Sequence, residues 1–281
     1  MYRELYRFGG VTFALESDAP LERSPVCEAF HVPDGVPDHT ICLRFSDALP
    51  TPPADALRRD DVFRWQAGAQ RHLLQWVSAP GDIPHFTYAV THGAHTDVIF
   101  ASAYRTGASV STALEAVGLF DVFAARGMLV LHSAYIVTSA GEAILFSGPS
   151  GIGKSTQAAL WERCAGARVV NGDRALVDVG KKTANGIFYA GTSGISENVT
   201  APVRAIVLLG QGSENRMFVP SPQAAFAGVL SQCAYYEWDA RSAEQMTECV
   251  ARLVSDVPVL RMDCLPDATA VETLHDQLGG I

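Results

Sequence analysis

The sequence predicts a mixed α/β (α+β) protein with two modules, a smaller strand-rich amino-terminal part and a carboxy-terminal core of mixed sheet and helices. Three observations predict this class. Short apolar segments separated by Pro, Gly and Asp dominate the first hundred residues. Helical spacing of apolar residues begins only near Ser109. Beyond Gly127, strand-like and helical segments mix without the regular βαβ rhythm of a doubly wound sheet.

The first module, residues 1–108, is predicted to contain short strands and to bind a substrate or partner. Pro50, Pro52 and Pro53 mark its plainest break. Its strand-like segments are Tyr6–Leu15 with a Gly-Gly turn, His39–Phe45, Arg71–Ala79, His85–Gly93 and Thr96–Arg105.

Residues 109–127 predict a helix that connects the two modules. Apolar residues such as Val110, Leu114 and Val117 recur at three- and four-residue intervals. Ser109 or Ser111 could cap the start of this helix, and Gly127 provides a stop.

The second module, residues 128–281, has more and longer apolar segments. One predicted helix begins near Lys154 and contains about ten residues. Three further helices are predicted over Ser221–Ser231, Arg241–Val254 and Pro266–Leu278. Its predicted strands are Leu129–Ser139, Ala143–Gly148, Ala167–Asp173, Arg174–Val179, Gly186–Gly191, Val203–Gly210, Arg216–Ser221 and Val257–Cys264.

Charge and composition exclude several classes of protein. The 281 residues include 21 basic and 30 acidic side chains, a net charge of −9, which disfavours nucleic-acid binding and a basic membrane-surface role. The apolar segments are shorter than the roughly 20 residues of a membrane span, so none is expected.

The cysteine pattern predicts reduced thiols. Six cysteines occur without a CxxC pair, and the amino terminus lacks the apolar stretch of a signal peptide, which together predict a cytoplasmic protein. Cys233, Cys249, His92 and His95 show no zinc-binding spacing along the chain.

The strongest motif is a phosphate-binding loop that matches GxxxxGK[ST]. An apolar strand precedes it and a helix follows, which is the context that gives the pattern its meaning. Glycines allow successive N–H groups to face phosphate oxygens, the lysine reaches the β- and γ-phosphates, and the hydroxyl after it binds Mg²⁺. The loop consists of Gly148, Pro149, Ser150, Gly151, Ile152, Gly153, Lys154, Ser155 and Thr156. The cofactors predicted are therefore ATP and Mg²⁺.

Two further residues are candidates for catalysis. Asp173 ends a strand-like segment after the loop helix, where a returning strand would bring its carboxylate back to the loop; the alternative is an Asx-type turn with Arg174. His132 lies in an apolar segment before the loop, and this position alone is more typical of a hydrogen-bonded core histidine.

The segments LHSAYIVTSAGEAILFSGPSGIGKST and ARVVNGDRALV resemble the HPr serine kinase/phosphorylase family and its phosphoenolpyruvate-carboxykinase-like relatives, including homologues that modify peptides. In that family a His-led strand, a second strand, the loop and a strand ending in two carboxylates follow in this order. Asp173 matches the second carboxylate, and Gly172 replaces the first. The resemblance covers about residues 129 to 210 with specificity.

The resemblance implies a carboxykinase-like mixed α/β core and a role for each matching residue. Asp173 would be the general base, His132 would help position the site, and Lys154 would clamp the phosphates. Ser155 would bind the metal, and Glu197 is a weaker match to a metal-associated glutamate. Because the first carboxylate is missing, the resemblance implies a plain kinase rather than a phosphorylase.

The leading hypothesis is an ATP- and Mg²⁺-dependent kinase that transfers the γ-phosphate to a Ser or Thr hydroxyl of a protein or peptide. A glycine-rich loop with Gly191, Ser193 and Gly194 could cover the nucleotide, and Arg204 could neutralise phosphate charge. Two alternatives stay open: a kinase of a small hydroxylated metabolite, and a sensor that binds ATP without turnover. A homo-oligomer is compatible with the resemblance, since family members are often multimers.

Overall fold

The computed structural model describes residues 1–48, 50–77 and 85–279. These residues confirm the mixed α/β class and divide into two compact units. Unit 1 comprises Met1–Val122 and Tyr236–Ala240, and unit 2 comprises Phe123–Tyr235 and Arg241–Ile281. Unit 1 is therefore not contiguous, because a short segment from the second half of the chain belongs to it.

Unit 1 is built on one twisted sheet. The described residues give nine strands in the order β3-β1-β2-β4-β9-β8-β7-β6-β5. The pairs β2–β4 and β4–β9 are parallel, and all other neighbours are antiparallel. The strands are β1 Tyr2–Phe8, β2 Val11–Ser17, β3 His31–Val32, β4 His39–Phe45, β5 Leu57–Arg59, β6 Val62–Ala67, β7 Gln70–Val77, β8 His85–His92 and β9 His95–Phe100.

The prediction of a strand-rich first module is confirmed, and its details differ. The predicted strand Arg71–Ala79 is present as β7, and its last two residues, Ser78 and Ala79, lie outside the described residues. Strands β5 and β6 were not predicted, because most of their side chains are exposed or half-buried and leave no continuous apolar signal. A helix, α1 Pro25–Glu28, interrupts the sheet between β2 and β3.

The single helix predicted over residues 109–127 is wrong. Two short helices occupy the stretch, α2 Val110–Glu115 and α3 Leu119–Ala124. Gly118 separates them with φ +67°, a left-handed conformation that a continuing helix cannot contain. The predicted cap is confirmed, since Ser109 and Thr112 form a reciprocal capping box at the start of α2.

Unit 2 contains a mixed sheet in the order β11-β10-β13-β14-β15-β17-β16, with β12 paired to β10 and β11 paired also to β15. The pairs β11–β15 and β15–β17 are parallel. The strands are β10 Met128–Val137, β11 Ala143–Ser147, β12 Arg168–Asn171, β13 Arg174–Asp178, β14 Thr183–Asn185, β15 Thr200–Gln211, β16 Arg216–Phe218 and β17 Val259–Cys264. The helices are α4 Lys154–Ala165, α5 Pro222–Leu230, α6 Ala240–Asp256 and α7 Ala268–Gly279.

Helices cover both faces of this sheet, which explains its continuous apolar segments. One core cluster joins Tyr135 and Leu145 to α5 and α6. The alternate residues Ile136, Ile144 and Phe146 face the other way and pack with α4 and α7. Among the described residues, no helix has both the length and the apolar content needed to span a bilayer.

The strand predicted over Gly186–Gly191 is wrong. In the described structure β14 ends at Asn185, and the next strand, β15, begins at Thr200. The carbonyl of Ile187 accepts hydrogen bonds from the side chains of Asn171, at 2.7 Å, and Ser196, at 2.7 Å. The Ile187 carbonyl therefore bonds to side chains, and the Gly186 N–H donates to the Val199 carbonyl at 3.0 Å outside any strand ladder.

Candidate nucleotide-binding and catalytic site

The GxxxxGKS sequence forms the turn between β11 and α4. Strand β11 ends at Ser147, and α4 begins at Lys154. Gly148, with φ +145°, and Gly153, with φ +113°, adopt conformations that side chains other than Gly rarely accept. The turn therefore has the strand–loop–helix geometry that places backbone N–H groups and a helix amino terminus against an anion.

Lys154 folds back over the loop. Its side chain is buried, and Nζ donates hydrogen bonds to the carbonyl oxygens of Gly148, at 2.8 Å, and Pro149, at 3.0 Å. The pKa of Lys154 is lowered, because the effect of burial exceeds the opposing effect of the negative charge on Asp173. Ser155 and Thr156 are exposed at the start of α4, so their hydroxyls are accessible to a ligand.

Strand β10 places His132 beside the start of the loop. Ser133 pairs with Ser147 across the β10–β11 ladder, and the Ser147 hydroxyl donates to the His132 carbonyl at 2.8 Å. On the other side, the His132 N–H donates to the carbonyl of Gln232 at 2.9 Å. The His132 backbone is thus fixed by strand hydrogen bonds, while its imidazole is partly exposed.

Asp173 lies in the two-residue turn between β12 and β13. The Asn171 side chain holds this turn, because its Oδ1 accepts from the N–H groups of Asp173 and Arg174, both at 2.9 Å. The Asx-type turn is therefore made by Asn171, and the Asp173 carboxylate is left for other contacts.

The carboxylate of Asp173 lies between two basic side chains. His132 Nε2 is 3.6 Å from Asp173 Oδ1, and Arg174 Nε donates to Oδ2 at 3.2 Å. The Ser133 N–H also donates to the Asp173 carbonyl at 2.9 Å, which ties the turn to β10. Asp173 and His132, 41 residues apart in sequence, are thus adjacent beside the loop.

The electrostatics favour a neutral His132 at neutral pH. Burial is the main cause that lowers the pKa of His132, and the positive charge of Lys154 lowers it further. The carboxylate of Asp173 raises that pKa but does not outweigh the other two effects. His132 therefore contacts Asp173 without neutralising its charge.

The glycine-rich segment packs directly against the Asp173 turn. A Cβ at Gly191 would lie 2.7 Å from the Cβ of Asp173, and a Cβ at Gly172 would lie 2.3 Å from the Ser193 hydroxyl. Any side chain at position 172 would require Ser193 to move, so the absence of a side chain at Gly172 allows this close approach of the glycine-rich segment.

Two other sequence candidates make different contacts. The carboxylate of Glu197 pairs with Arg168 Nε at 2.6 Å, so a metal ion would compete with an ion pair there. Val203, the residue before Arg204, pairs with Ala143, which is the first residue of β11. The phosphate loop follows the last residue of β11, so Arg204 lies beside the opposite end of that strand. The suggested role of Arg204 in neutralising phosphate charge is therefore wrong. Arg204 instead donates to the Leu278 carbonyl and lines a cavity of about 530 Å³ with Trp161 and His275.

Two site residues were missed in the sequence. Asn171 is completely buried and donates to the Ile187 carbonyl while it holds the Asp173 turn. Arg174 contacts Asp173, and its guanidinium lies 5.2 Å from the centre of the Tyr189 ring. An Asn two residues before a candidate carboxylate at a strand end is the signal that indicates such a turn.

Comparisons with known proteins give little further information. No family model matches the sequence, and no curated protein matches it. Thirty-four chains of solved structures match. One is the Hpr(Ser) kinase/phosphatase from Coxiella burnetii, at 15% identity and a TM-score of 0.25, covering 54% of this chain and 93% of that chain. At this identity and TM-score the match assigns neither a fold nor an activity to this chain.

Proposed function

We propose that this protein is an ATP- and Mg²⁺-dependent kinase that transfers the γ-phosphate to a Ser or Thr hydroxyl of a protein or peptide. The observation that carries the proposal is the meeting of three parts within unit 2: the phosphate loop, the buried Lys154 and the Asp173–His132 pair. The first two parts suit triphosphate binding, and the third suits proton removal from an acceptor.

The residues of the loop fit a nucleotide and its metal ion. Backbone N–H groups of the loop would hold phosphate oxygens, and the exposed Ser155 hydroxyl would bind Mg²⁺, which neutralises phosphate charge. Lys154 now bonds to two carbonyl oxygens of its own loop and would exchange these for phosphate oxygens. Its burial keeps the ammonium close to the loop, so little side-chain freedom is lost on binding.

Asp173 would act as the general base toward the acceptor hydroxyl. Because the imidazole of His132 is neutral, it adds no second cation beside Arg174 at the carboxylate that would accept the hydroxyl proton. The Asn171 turn and the Arg174 contact fix the orientation of Asp173. Positioned bases of this kind contribute roughly 10²- to 10⁴-fold to rate.

Nucleotide binding is tested with Lys154→Ala against the matched variant Lys182→Ala, whose ammonium forms a half-exposed ion pair with Asp256. Calorimetry with Mg²⁺ and a non-hydrolysable ATP analogue should show affinity lowered roughly 10- to 100-fold in Lys154→Ala, since charge-assisted bonds are lost. Lys182→Ala should bind as the unmodified protein does. Equal affinities in all three proteins would contradict a role for the loop in phosphate binding.

Transfer is tested with γ-labelled ATP, a library of Ser/Thr peptides with Ala-substituted counterparts, and a panel of hydroxylated metabolites. Asp173→Asn should bind ATP normally and lose roughly 10²-fold or more in transfer rate. Asp256→Asn, which changes an exposed carboxylate elsewhere, is the control. Undiminished transfer by Asp173→Asn would exclude Asp173 as the base. Label found only on metabolites would indicate the small-molecule kinase, and binding without transfer to any acceptor would indicate the sensor.

A further inference from the structure

Unit 1 contains a cluster of potential metal ligands whose spacing in the sequence does not match a metal-binding motif. Cys42, His95 and Asp97 each offer a donor atom, and the three atoms lie within 4.8 Å of one another. The cluster spans β4 and β9, two parallel strands in the middle of the described sheet. It belongs to unit 1, whereas the phosphate loop belongs to unit 2, so it is not part of the site described above.

The strand register brings these donors to one face. Cys42 is directly opposite Asp97 in the β4–β9 ladder, and His95 lies two residues before Asp97 on the same side of β9. Ile41 and Leu43, the neighbours of Cys42, are buried on the other face. The donor face is therefore half-exposed, and an ion can reach it from solvent.

A fourth donor extends the same row of residues. Glu16 of β2 is paired with Cys42 of β4, and the Cys42 thiol lies 3.6 Å from Glu16 Oε2. On the other side of the cluster, His95 Nε2 lies 3.4 Å from Asp97 Oδ2. A tetrahedral zinc ion with nitrogen and oxygen ligands at about 2.0 Å and sulfur at about 2.3 Å has ligand separations of roughly 3.3 to 3.5 Å. Each pair has nearly the separation that such an ion requires, and the Glu16 carboxylate, which lies outside the group of three mutually close donors, would turn toward the ion as a fourth ligand.

The kind of ligand indicates the kind of metal. A thiolate and an imidazole are ligands for zinc and similar transition ions, whereas Mg²⁺ and Ca²⁺ prefer oxygen alone. The carboxylates also have arginine partners, because Arg3 lies 3.3 Å from Glu16 and Arg44 lies 3.5 Å from Asp97. Both guanidinium groups are more than half exposed, so an ion can replace them at small cost.

We propose that Cys42, His95, Asp97 and Glu16 bind one Zn²⁺ ion on the open face of the unit 1 sheet. The ion would link β2, β4 and β9, three neighbouring strands that are far apart in the sequence. Binding forms a zinc–sulfur bond and releases the proton of the Cys42 thiol to solvent. The predicted result of binding is a more stable unit 1.

The first test uses calorimetric titration of the chelator-treated full chain with zinc ions. One strong site per chain is expected. Cys42→Ser and His95→Ala should each lower the zinc affinity by more than about 100-fold. Substitution of a residue that only contacts a metal ligand typically lowers metal affinity by about 10- to 100-fold. The matched controls are Cys164→Ser and His275→Ala, at exposed positions outside the cluster. Absence of a strong site, or a strong site unaffected by Cys42→Ser, would overturn the proposal. Circular dichroism confirms that each variant is folded.

A second test needs no variant and so does not depend on folding of the mutants. The unmodified chain is alkylated with iodoacetamide with and without Zn²⁺, and labelled peptides are quantified by mass spectrometry. Zinc should slow labelling of Cys42 at least 10-fold, because the metal holds the thiolate, and leave Cys164 unchanged. Equal labelling of Cys42 in both conditions, or equal protection of both cysteines, would contradict the proposed site.

Discussion

At the scale of single residues, the pair of His132 and Asp173 depends on opposing electrostatic effects. Burial and Lys154 lower the pKa of His132, and Asp173 raises it. The low pKa leaves the imidazole neutral near pH 7, so it adds no positive charge beside the proposed base. A fully protonated His132 would instead hold Asp173 in an ion pair and reduce its ability to accept a proton.

Two substitutions should therefore move the pKa of His132 in opposite directions. Asp173→Asn removes the carboxylate and should lower it, whereas Lys154→Ala removes a positive charge and should raise it. Histidine signals in two-dimensional NMR spectra followed across pH would measure both, with His132→Gln for assignment. A shift in the same direction in both variants would contradict the proposed geometry.

The sign of the effect on stability follows from the same pKa. The folded state has the lower value, so the unfolded chain binds a proton first as pH falls below 6.5. The contribution of His132 to stability is complete above that pH and is lost as pH falls through the folded pKa. Unfolding by urea at several pH values should show a weaker pH dependence below pH 6.5 in His132→Gln than in the unmodified protein.

At the scale of elements, the β12–β13 turn gives the Asp173 carboxylate its position. Asn171 forms three of the hydrogen bonds that hold this turn, to the N–H groups of Asp173 and Arg174 and to the Ile187 carbonyl. These bonds join the turn to the segment that follows β14. One buried side chain therefore fixes two pieces of backbone that flank the candidate base.

Asn171→Ala should destabilise the protein by about 1 to 3 kcal/mol, because the N–H groups of Asp173 and Arg174 lose their acceptor and the Ile187 carbonyl loses one of its two donors. Amide hydrogen exchange at Asp173 and Arg174 should become faster, since both N–H groups lose their acceptor. Asn215→Ala removes a more exposed asparagine that also bonds to backbone and is the matched control. Unchanged exchange in Asn171→Ala would show that the turn does not need this side chain.

At the scale of the whole molecule, the chain returns to complete unit 1. Residues Tyr236–Ala240 belong to that unit, where Arg64 of β6 forms ion pairs with Asp121 and Asp239. The Arg64 guanidinium also lies 4.0 Å from the centre of the Tyr236 ring. Arg64 is 7% exposed, so these contacts are largely removed from water.

Arg64→Met should cost about 3 kcal/mol or more of unfolding free energy, because it leaves buried carboxylates without their cation. Urea unfolding followed by tryptophan fluorescence would measure the loss. Arg44→Met, which removes a largely exposed arginine on the same sheet, should change stability by less than about 0.5 kcal/mol. Similar values for the two variants would contradict a structural role for the Arg64 contacts.

The sequence alone determined the features that depend on neighbours along the chain. Apolar periodicity located the four longer helices and most strands of unit 2, although not β14, and the GxxxxGKS spacing located the turn between β11 and α4. The Ser109 cap was also predictable, because both partners of the capping box lie within four residues. By contrast, the prediction of a strand over Gly186–Gly191 was wrong, since the Ile187 carbonyl bonds to the side chains of Asn171 and Ser196.

Only the tertiary structure decided which distant residues meet. Strand register placed His132 beside Asp173 and separated Arg204 from the phosphate loop. The same kind of register brought Cys42 to His95 and Asp97, although their spacing along the chain shows no zinc motif. Local patterns fix the conformation of each segment, whereas strand pairing depends on the burial of whole faces and therefore on residues far apart in the sequence.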